Sequence, residues 1–412
     1  MPMKLLISLP VFCISVLTAC AQTLLSEKVT ADAHASFEPR AMALHNNGNV
    51  YVTGRYETSV GYYTRRNGVT VVADTSLPYG TRMFVMRLDS TGKMQQRIYL
   101  PALEGLDIRI TRSGDILACG FLNGYREENY EGDRTQGVFA ALLNPQLELI
   151  WKRLYPLPYN STPRKIVEAA DGNILILANA QVKAQPNSFG QNDLMATRCI
   201  LTDAQGKLRK DSLMYAPVYQ VPHSLYPYDA CPADSGFMLL GQYQYPGAGE
   251  VLLVSDLDSE LKARRGANVV YYKENSTDRE NVIAGHMCIN QGRIFVAGLS
   301  QFAEQKFFVR ALNPKKLDSV FTQRMPGKIL EMPIICALPD GGVVVFSRND
   351  QKKPLLHFIT AEGKMHTLTL SSSQHSIKDP QAAAVRGNTL YILAEIHRGE
   401  EDGVYLARLR LK

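Results

Sequence analysis

The stretch Asn47-Gly48-Asn49-Val50-Tyr51-Val52-Thr53-Gly54 joins a tight glycine turn to an apolar strand, and it is the first of seven such segments. The lead glycines of the seven copies are Gly48, Gly114, Gly172, Gly236, Gly292, Gly341 and Gly387. Successive lead glycines are 46 to 66 residues apart, which leaves room for four short strands and their connections, the size of a propeller blade. Because Asn-Gly and Asp-Gly favour the positive φ of hairpin turns, each lead glycine is predicted to join two antiparallel strands.

Each unit carries three further strand signals around that segment. A strand precedes the turn, as in Arg40–Leu44, and a third strand ends in a polar turn, as in Phe84–Gly92. A fourth, more polar strand follows, as in Leu149–Tyr155. Nowhere does a sustained 3.6-residue period appear, so helices are expected to be scarce.

The strand count predicts how the ring closes. The seventh unit stops at Lys412 after its third strand, whereas Thr23–Val29 forms a strand that belongs to no complete unit. A ring that left these strands unpaired would expose edges that invite aggregation. The sequence therefore predicts an all-β fold, a seven-bladed β-propeller with four antiparallel strands per blade, in which the N-terminal strand completes the last blade. Residues 22–412 are expected to form this single domain.

Two motifs resemble a known group of repeats. Leu88-Asp89-Ser90-Thr91-Gly92-Lys93 and Asp340-Gly341-Gly342 resemble the L-D-x-x-G and D-G-G motifs of bacterial exported propellers built from SBBP-type repeats. Several units depart from the pattern, since Leu261 and Leu317 stand where the turn glycine is expected and Ala178 replaces the glycine that closes the strand. The resemblance implies an exported propeller and no defined activity. The turns are also similar to those of quinoprotein propellers, but Trp151 is the only tryptophan, so that family's tryptophan girdle is absent and no quinone is expected.

The N-terminus has the pattern of an export signal over residues 1–21. Lys4 supplies a positive start, residues 5–16 are apolar, and Ala19-Cys20-Ala21 supplies small residues before Gln22. Two processing alternatives stay open: an A-x-A cleavage, or a lipobox at Leu17–Cys20 that would leave Cys20 lipidated. Both predict an extracytoplasmic protein: secreted, periplasmic or an outer-membrane lipoprotein. Membrane attachment is expected only through that lipid.

Charge and cysteine usage exclude several classes of site. The formal charge of +6 is spread along the chain, so no nucleic-acid partner is expected. Cys119, Cys199, Cys231, Cys288 and Cys336 occur one per repeat without paired spacing, which is typical of small buried side chains rather than disulfides. No Cys or His pair has ligand spacing, and neither a metal nor a cofactor is predicted.

Long connections between second and third strands occur only in the first four units, and those of units one, two and four contain tyrosines. Tyrosine combines rigid contact area with a hydroxyl, as recognition surfaces for proteins or sugars require. The alternative is that these tyrosines pack the insertions onto the disc. The predicted binding residues are Tyr62, Tyr63, Tyr79, Tyr125, Tyr130, Tyr243 and Tyr245.

Polar residues also cluster where the first strand of each unit begins, the predicted mouth of the central channel. Such a mixed set could bind a polar ligand or a cation, and the alternative is a hydrated funnel of mutually satisfied ion pairs. The set comprises Glu38, Arg40, Asp107, Arg109, Arg164, Asp229, His286, Glu331 and Asp379.

No H-x-x-x-H, G-x-S-x-G or phosphate-binding glycine loop occurs in the chain. The sequence therefore favours a non-catalytic binding or scaffold propeller of a bacterial cell envelope, which recognises a protein or polysaccharide through the tyrosine-rich loops of blades one to four. The alternative is a carbohydrate-active hydrolase or lyase that uses carboxylates at the channel mouth. A purely structural spacer is a third hypothesis.

Overall fold

Seven four-stranded antiparallel sheets and three two-stranded hairpins make up the part of the chain that the structure describes. The computed structural model describes residues 23–30, 35–58, 64–66, 69–71, 80–122, 137–155, 161–183, 193–218, 221–245, 249–269, 271–272, 279–280, 282–300, 306–325, 334–348, 353–370, 376–398 and 401–411. Over these ranges all regular structure is β-strand, and none contains a helix long and apolar enough to cross a membrane.

The first three blades are formed by strands in consecutive order from the channel outwards. Blade one comprises β2 (Ala35–Leu44), β3 (Val50–Thr58), β6 (Gly80–Leu88) and β7 (Met94–Leu100), with the small hairpin β4 (Thr64–Arg66) and β5 (Val69–Val71) between its second and third strands. Blade two comprises β8 (Glu104–Ile110), β9 (Ile116–Leu122), β10 (Gly137–Leu143) and β11 (Leu149–Tyr155). Blade three comprises β12 (Ser161–Glu168), β13 (Ile174–Lys183), β14 (Asp193–Thr202) and β15 (Leu208–Met214).

Blades four to six repeat that order, and small hairpins precede two of them. The hairpin β16 (Ala216–Val218) and β17 (Val221–His223) leads to blade four, with β18 (Leu225–Ala233), β19 (Gly236–Tyr245), β20 (Gly249–Asp258) and β21 (Ala263–Val269). The hairpin β22 (Tyr271–Tyr272) and β23 (Arg279–Glu280) leads to blade five, with β24 (Val282–Asn290), β25 (Arg293–Ser300), β26 (Lys306–Leu312) and β27 (Ser319–Met325). Blade six comprises β28 (Ile335–Ala337), β29 (Val343–Arg348), β30 (Pro354–Ile359) and β31 (Met365–Thr369).

The seventh blade joins the two ends of the chain. It comprises β32 (Ser376–Arg386), β33 (Thr389–Arg398) and β34 (Glu401–Arg410), and its outer strand is β1 (Thr23–Thr30). β1 runs antiparallel to β34 from the pair Thr23–Arg410 to the pair Thr30–Val404. The Tyr405 hydroxyl donates a hydrogen bond of 3.0 Å to Glu27 across this junction. The predicted seven-bladed ring, closed by the N-terminal strand, is thus confirmed.

The alternating strand directions give the disc two distinct faces. Each inner strand ends at the glycine turn, so the turns between first and second strands and those between third and fourth strands lie on one side, the turn face. The connections between second and third strands and those between blades lie on the opposite side, the loop face. The three small hairpins all interrupt connections of the loop face.

The core lies between neighbouring blades. Middle strands are the most buried, and every residue of β10 is buried. Alternate side chains of each sheet pack against opposite neighbours. Met42 of blade one packs with Leu393 of blade seven, whereas Ala41 packs with Ile108 of blade two. The apolar clusters therefore continue around the ring and leave the inner strands facing a central channel.

Six of the seven inner strands contain a β-bulge. The skipped residue is Arg40, Leu106, Arg164, Tyr228, Ala284 or Gln381 in blades one to five and seven. In four of these blades a proline precedes the skipped residue, consistent with the restriction of proline to edges and bulges of a sheet. In blade one, Gly54 lies opposite the bulge. Any side chain there would clash with the inner strand, because its Cβ would lie 2.0 Å from the Glu38 carbonyl oxygen. Bulges re-aim side chains, and here they set which residues face the channel.

Candidate functional site

The central channel forms a cavity of about 740 Å³ lined by residues of all seven inner-strand segments. The lining includes Arg40, Asp107, Arg109, Arg164, Lys165, Asp229 and His286. Four cations thus face two carboxylates and one imidazole. A volume of this size lies within the usual range of small-molecule pockets.

Four of these residues occupy the same position in consecutive blades. Asp107, Lys165, Asp229 and His286 pair with Cys119, Leu177, Leu240 and Ala297, each of which directly precedes a glycine or alanine of its second strand. We call these four residues the charged layer. The equivalent residues of blades one and seven are Ala41 and Ala382, and in blade six Ile334 accepts the corresponding bond from the Phe346 N–H at 3.2 Å. The channel therefore has a charged half in blades two to five and an apolar half in blades six, seven and one.

The two aspartates of the charged layer connect each blade to the next one. Asp107 Oδ2 accepts the backbone N–H of Ile166 at 3.0 Å. Asp229 Oδ2 accepts the backbone N–H of Met287 at 2.9 Å. Both acceptors are buried, with side chains 3% and 5% exposed. A buried carboxylate needs such donors, and these two hold blade two to blade three and blade four to blade five.

Lys165 lies between the two aspartates. Its Nζ is 3.8 Å from Asp107 Oδ1 and 3.7 Å from Asp229 Oδ1. The Asp229 carboxylate also lies 3.2 Å from His286 Nδ1. Burial acts to raise the pKa of Asp229, but Lys165, the His286 hydrogen bond and the Met287 N–H together hold that pKa well below its usual range. Asp229 is therefore ionised at any physiological pH and cannot serve as a general acid.

Two arginines extend the charge above and below the charged layer. Arg109 Nε donates to Asp107 Oδ2 at 3.2 Å, and the Asp107 charge raises the pKa of Arg109 against the opposing effect of burial. Arg164, at the bulge nearer the loop face, donates from Nε at 3.2 Å and from Nη2 at 3.1 Å to the Asn179 side-chain oxygen, with that amide oriented to accept, and its Nη1 remains for other acceptors. Neither arginine's terminal nitrogens have a carboxylate partner among the described side chains.

Arg40 differs from Arg109 and Arg164 because its guanidinium contacts two glutamates. Its guanidinium donates to Glu38 Oε2 at 3.0 Å and to Glu104 Oε1 of the next blade. Burial acts to lower the pKa of Arg40, but the Glu104 contact outweighs it and the pKa is raised. This ion pair joins blades one and two near the loop face.

Three cysteines form part of the channel wall nearer the turn face. Cys231, Cys288 and Cys336 each lie two residues after the charged-layer position of blades four to six. All five cysteines beyond the N-terminal segment are free thiols. Burial raises the pKa of Cys231 and Cys336 to about 12, so these groups are neutral thiols rather than nucleophilic thiolates.

Six of the residues predicted at the channel mouth thus meet in one cavity: Arg40, Asp107, Arg109, Arg164, Asp229 and His286. Glu38 joins them through Arg40. Asp379 is described only by its backbone in β32, and Glu331 lies outside the described residues. Of the adjacent pair Arg164-Lys165, the sequence prediction selected only Arg164 as a site residue, although Lys165 is the one that connects both aspartates. A signal was present, because Pro163 and Pro227 each stand two residues before a charged-layer residue, Lys165 and Asp229 respectively.

The predicted tyrosine surface is described only in part. Tyr243 is 4% exposed and packs with Leu225 and Val251, so its side chain belongs to the core of blade four. Tyr245 is described by its backbone alone. The remaining tyrosines lie outside the described residues: Tyr62, Tyr63, Tyr79, Tyr125 and Tyr130.

The chemistry of the channel favours binding of a polar ligand. Among the described residues, no three His, Cys, Asp or Glu side chains are arranged to hold a metal ion. The carboxylates are occupied by internal donors, whereas guanidinium groups face the cavity. Among the described residues that line the cavity, the Asp229–His286 pair is an acid–base arrangement.

The comparisons with known proteins define the class as a β-propeller. No family model and no curated protein matches the sequence. A crystal structure of the polysaccharide lyase Uly1 is similar with a TM-score of 0.57 and 10% identity, covering 94% of this chain and 100% of that one. The propeller of Dos1 is similar with a TM-score of 0.52 and 9% identity, covering 95% of each chain. At these identities the likeness establishes the fold alone.

Proposed function

We propose that this chain is a non-catalytic binding propeller, exported from a bacterial cell, which docks a protein or polysaccharide on its loop face. The observation that carries the proposal is strand direction. Every inner strand starts at the loop face, so the long connections between second and third strands of blades one to three (residues 59–79, 123–136 and 184–192) join their blades on the side where the channel begins. The charged half of the channel begins at blade two, beneath these connections. A partner there meets both aromatic and charged groups.

The state of the carboxylates supports binding over catalysis. Asp107 and Asp229 both accept backbone N–H bonds from the next blade and both contact Lys165. General acid or base catalysis needs a carboxylate whose proton affinity is near the working pH. Hydrolysis of a glycosidic bond needs two such groups facing the substrate. Here both carboxylates already accept hydrogen bonds that join neighbouring blades, so neither is available for a substrate.

Replacing Tyr62, Tyr63, Tyr125 and Tyr130 together by serine tests the docking surface. We expect the variant to lose retention of purified envelope polysaccharide or of a crosslinked envelope protein, and the separate assays identify the partner class. A matched control replaces Leu149 and Ile150 by serine, since both are about half exposed at the start of an outer strand, beside the turn face. If the tyrosine variant still retains the polysaccharide or protein, the docking surface is not on the loop face. If only the control variant loses retention, the docking surface includes the rim around Leu149 and Ile150.

The Asp229–His286 pair favours a second candidate function, cleavage of an acidic polysaccharide. An imidazole oriented by a carboxylate is a general base, and neighbouring arginines could neutralise a uronate carboxylate. The fold likeness to a polysaccharide lyase is consistent with this chemistry. Elimination creates unsaturated sugar ends that absorb ultraviolet light. Release of such ends from polyuronates by the wild type, lost in His286→Ala, would replace the binding proposal. No release from a panel of acidic polysaccharides would exclude the lyase.

Export itself is tested at the mature N-terminus. Intact-mass measurement of the protein from a bacterial host distinguishes cleavage before Gln22 from a lipidated Cys20. An unprocessed N-terminus in the cytoplasm would contradict the proposed location.

A further inference from the structure

The charged half of the channel has unused positive charge. Each aspartate already has several donors: Asp107 accepts from Ile166 N–H and Arg109 Nε, and Asp229 accepts from Ala230 N–H and Met287 N–H. Lys165 is shared between both carboxylates. With the acceptors occupied, the groups that still have hydrogen-bonding capacity towards the cavity are donors. The charged half therefore selects for an anion.

Two guanidinium groups provide that capacity at different depths. Arg109 uses its Nε on Asp107, and its side chain is 44% exposed. Arg164 has no carboxylate partner among the described side chains, and it faces the same cavity. Arg164 lies one residue before the charged layer and Arg109 two residues after it, on neighbouring inner strands. At about 3.3 Å per residue their Cα positions differ by about 10 Å along the channel axis.

The opposite wall is largely aliphatic. Gln381 and Arg40 also line it, and the Arg40 charge is paired with Glu38 and Glu104. Blades six, seven and one contribute Ile334, Ala382, Ala384, Val385 and Met42 to the cavity. These side chains offer no charge and no side-chain hydrogen bond. A ligand that fills the channel must therefore present acidic groups to blades two and three and a hydrocarbon surface to blades six, seven and one.

We propose that the channel is a binding site for a small dicarboxylate with an aliphatic body. One carboxylate is held by Arg164 near the loop face and the other by Arg109 nearer the turn face, each able to form paired N–H···O bonds with a guanidinium. Lys165 lies between them and contributes positive potential. The cavity of about 740 Å³ accommodates such a ligand. This site goes beyond macromolecular docking on the loop face and does not depend on it.

Calorimetric titration of the full chain with adipate tests the proposal. Hexanoate, which lacks one carboxylate, is expected to bind at least tenfold more weakly, and adipamide, which lacks both charges, is expected not to bind. Adipate affinity is expected to fall as salt is raised, since the interaction is largely electrostatic. Inorganic phosphate is the competing probe. Equal binding of hexanoate, stronger binding of phosphate, or no heat with any carboxylate would overturn the proposal.

Variants locate the site within the channel. Arg164→Gln and Arg109→Gln are each expected to reduce adipate affinity at least tenfold, whereas Arg153→Gln, an exposed arginine of an outer strand, leaves it unchanged. Arg164→Gln is the decisive variant because Arg164 holds no aspartate, so its thermal midpoint should stay near that of the wild type. Adipate binding that survives Arg164→Gln would overturn the assignment. Polysaccharide or protein retention measured on the same variants separates this result from the docking proposal.

Discussion

Asp107 and Asp229 occupy the same position of blades two and four, and each accepts a backbone N–H from the inner strand of the following blade. Lys165 of the intervening blade contacts both carboxylates. The three residues thus form one electrostatic unit across blades two to five. The unit stabilises the ring and shapes the channel with the same atoms.

Replacing Lys165 by methionine removes the positive charge from that unit. The variant leaves two buried carboxylates without their shared partner, which typically destabilises a protein by about 3 to 5 kcal/mol. We expect a lower urea midpoint at pH 7. Lys207→Met is the control, since Lys207 is exposed in a turn and its loss should change stability by no more than about 0.5 kcal/mol. Equal midpoints for the two variants would contradict the role of Lys165.

Acidification should weaken the fold through Asp229. Its pKa in the folded state lies below the ordinary value of 3.8, so its ionised form contributes stability that is fully present above pH 3.8 and is lost as pH falls through the folded-state pKa. Asp229→Asn is expected to be less stable than the wild type at pH 7. The difference between the two should shrink as the pH is lowered below 4. Urea midpoints measured from pH 7 to pH 3 check this, and a constant difference would count against it.

His357 predicts a second pH effect, at higher pH. The residue is fully buried in blade six, with Nε2 2.6 Å from Ser347 Oγ and Nδ1 2.8 Å from Thr367 Oγ1. Burial lowers the pKa of His357 from 6.5 to about 4. Between pH 6.5 and pH 4, His357 is protonated in the unfolded chain and neutral in the folded chain. The free energy of unfolding should therefore fall by on the order of 3 kcal/mol as the pH drops from 6.5 to 4.

His357→Gln should flatten that part of the stability curve, even if the variant is less stable at pH 7. The control is His366→Gln, because His366 is exposed on the neighbouring strand. A His357 variant that keeps the full wild-type slope between pH 6.5 and 4 would show that another group titrates there.

Removal of β1 should expose the outer edge of the last blade. A chain that begins at Ala31 lacks the strand that pairs with β34, and unpaired edges promote association. We expect oligomers by light scattering and a lower thermal midpoint. A chain that begins at Gln22 keeps β1 and is the control, for which we expect a monomer with a higher thermal midpoint than the shorter chain. A monomeric, equally stable product of the shorter chain would mean that β1 is dispensable.

Much of the ring could be predicted from local turn chemistry. Gly48, Gly172 and Gly341 adopt positive φ as the Asn-Gly and Asp-Gly signals require. The departures also have a physical reason: Leu261 and Leu317 adopt φ of 60° and 58° in the turn before the fourth strand, and both side chains are buried. The left-handed conformation costs about 1 to 2 kcal/mol, and burial of a leucine offsets it by about 1.5 to 3 kcal/mol.

The site could be predicted only as a set of residues near the channel. Strand alternation does not distinguish Lys165 from its neighbour Arg164, and only the proline two residues earlier marks its position; the bulge at Arg164 turns Lys165 towards both aspartates. A bulge shifts the alternation of side chains by one residue, and the period-2 pattern gives no warning of it. Contacts between blades add a second obstacle, because the Asp229–Met287 bond joins residues 58 positions apart.

The pairing of β1 with β34 has a consequence for the order of assembly. Glu27 and Tyr405, which meet in this pairing, are 378 positions apart. Among the strands of the ring, β1 is synthesised first and its partner β34 last. β1 therefore stays unpaired until the other blades have been synthesised. A chain that lacks either β1 or β34 cannot close the ring and keeps an unpaired strand edge. Susceptibility to proteases should therefore differ between incomplete chains and chains in which β1 has paired with β34.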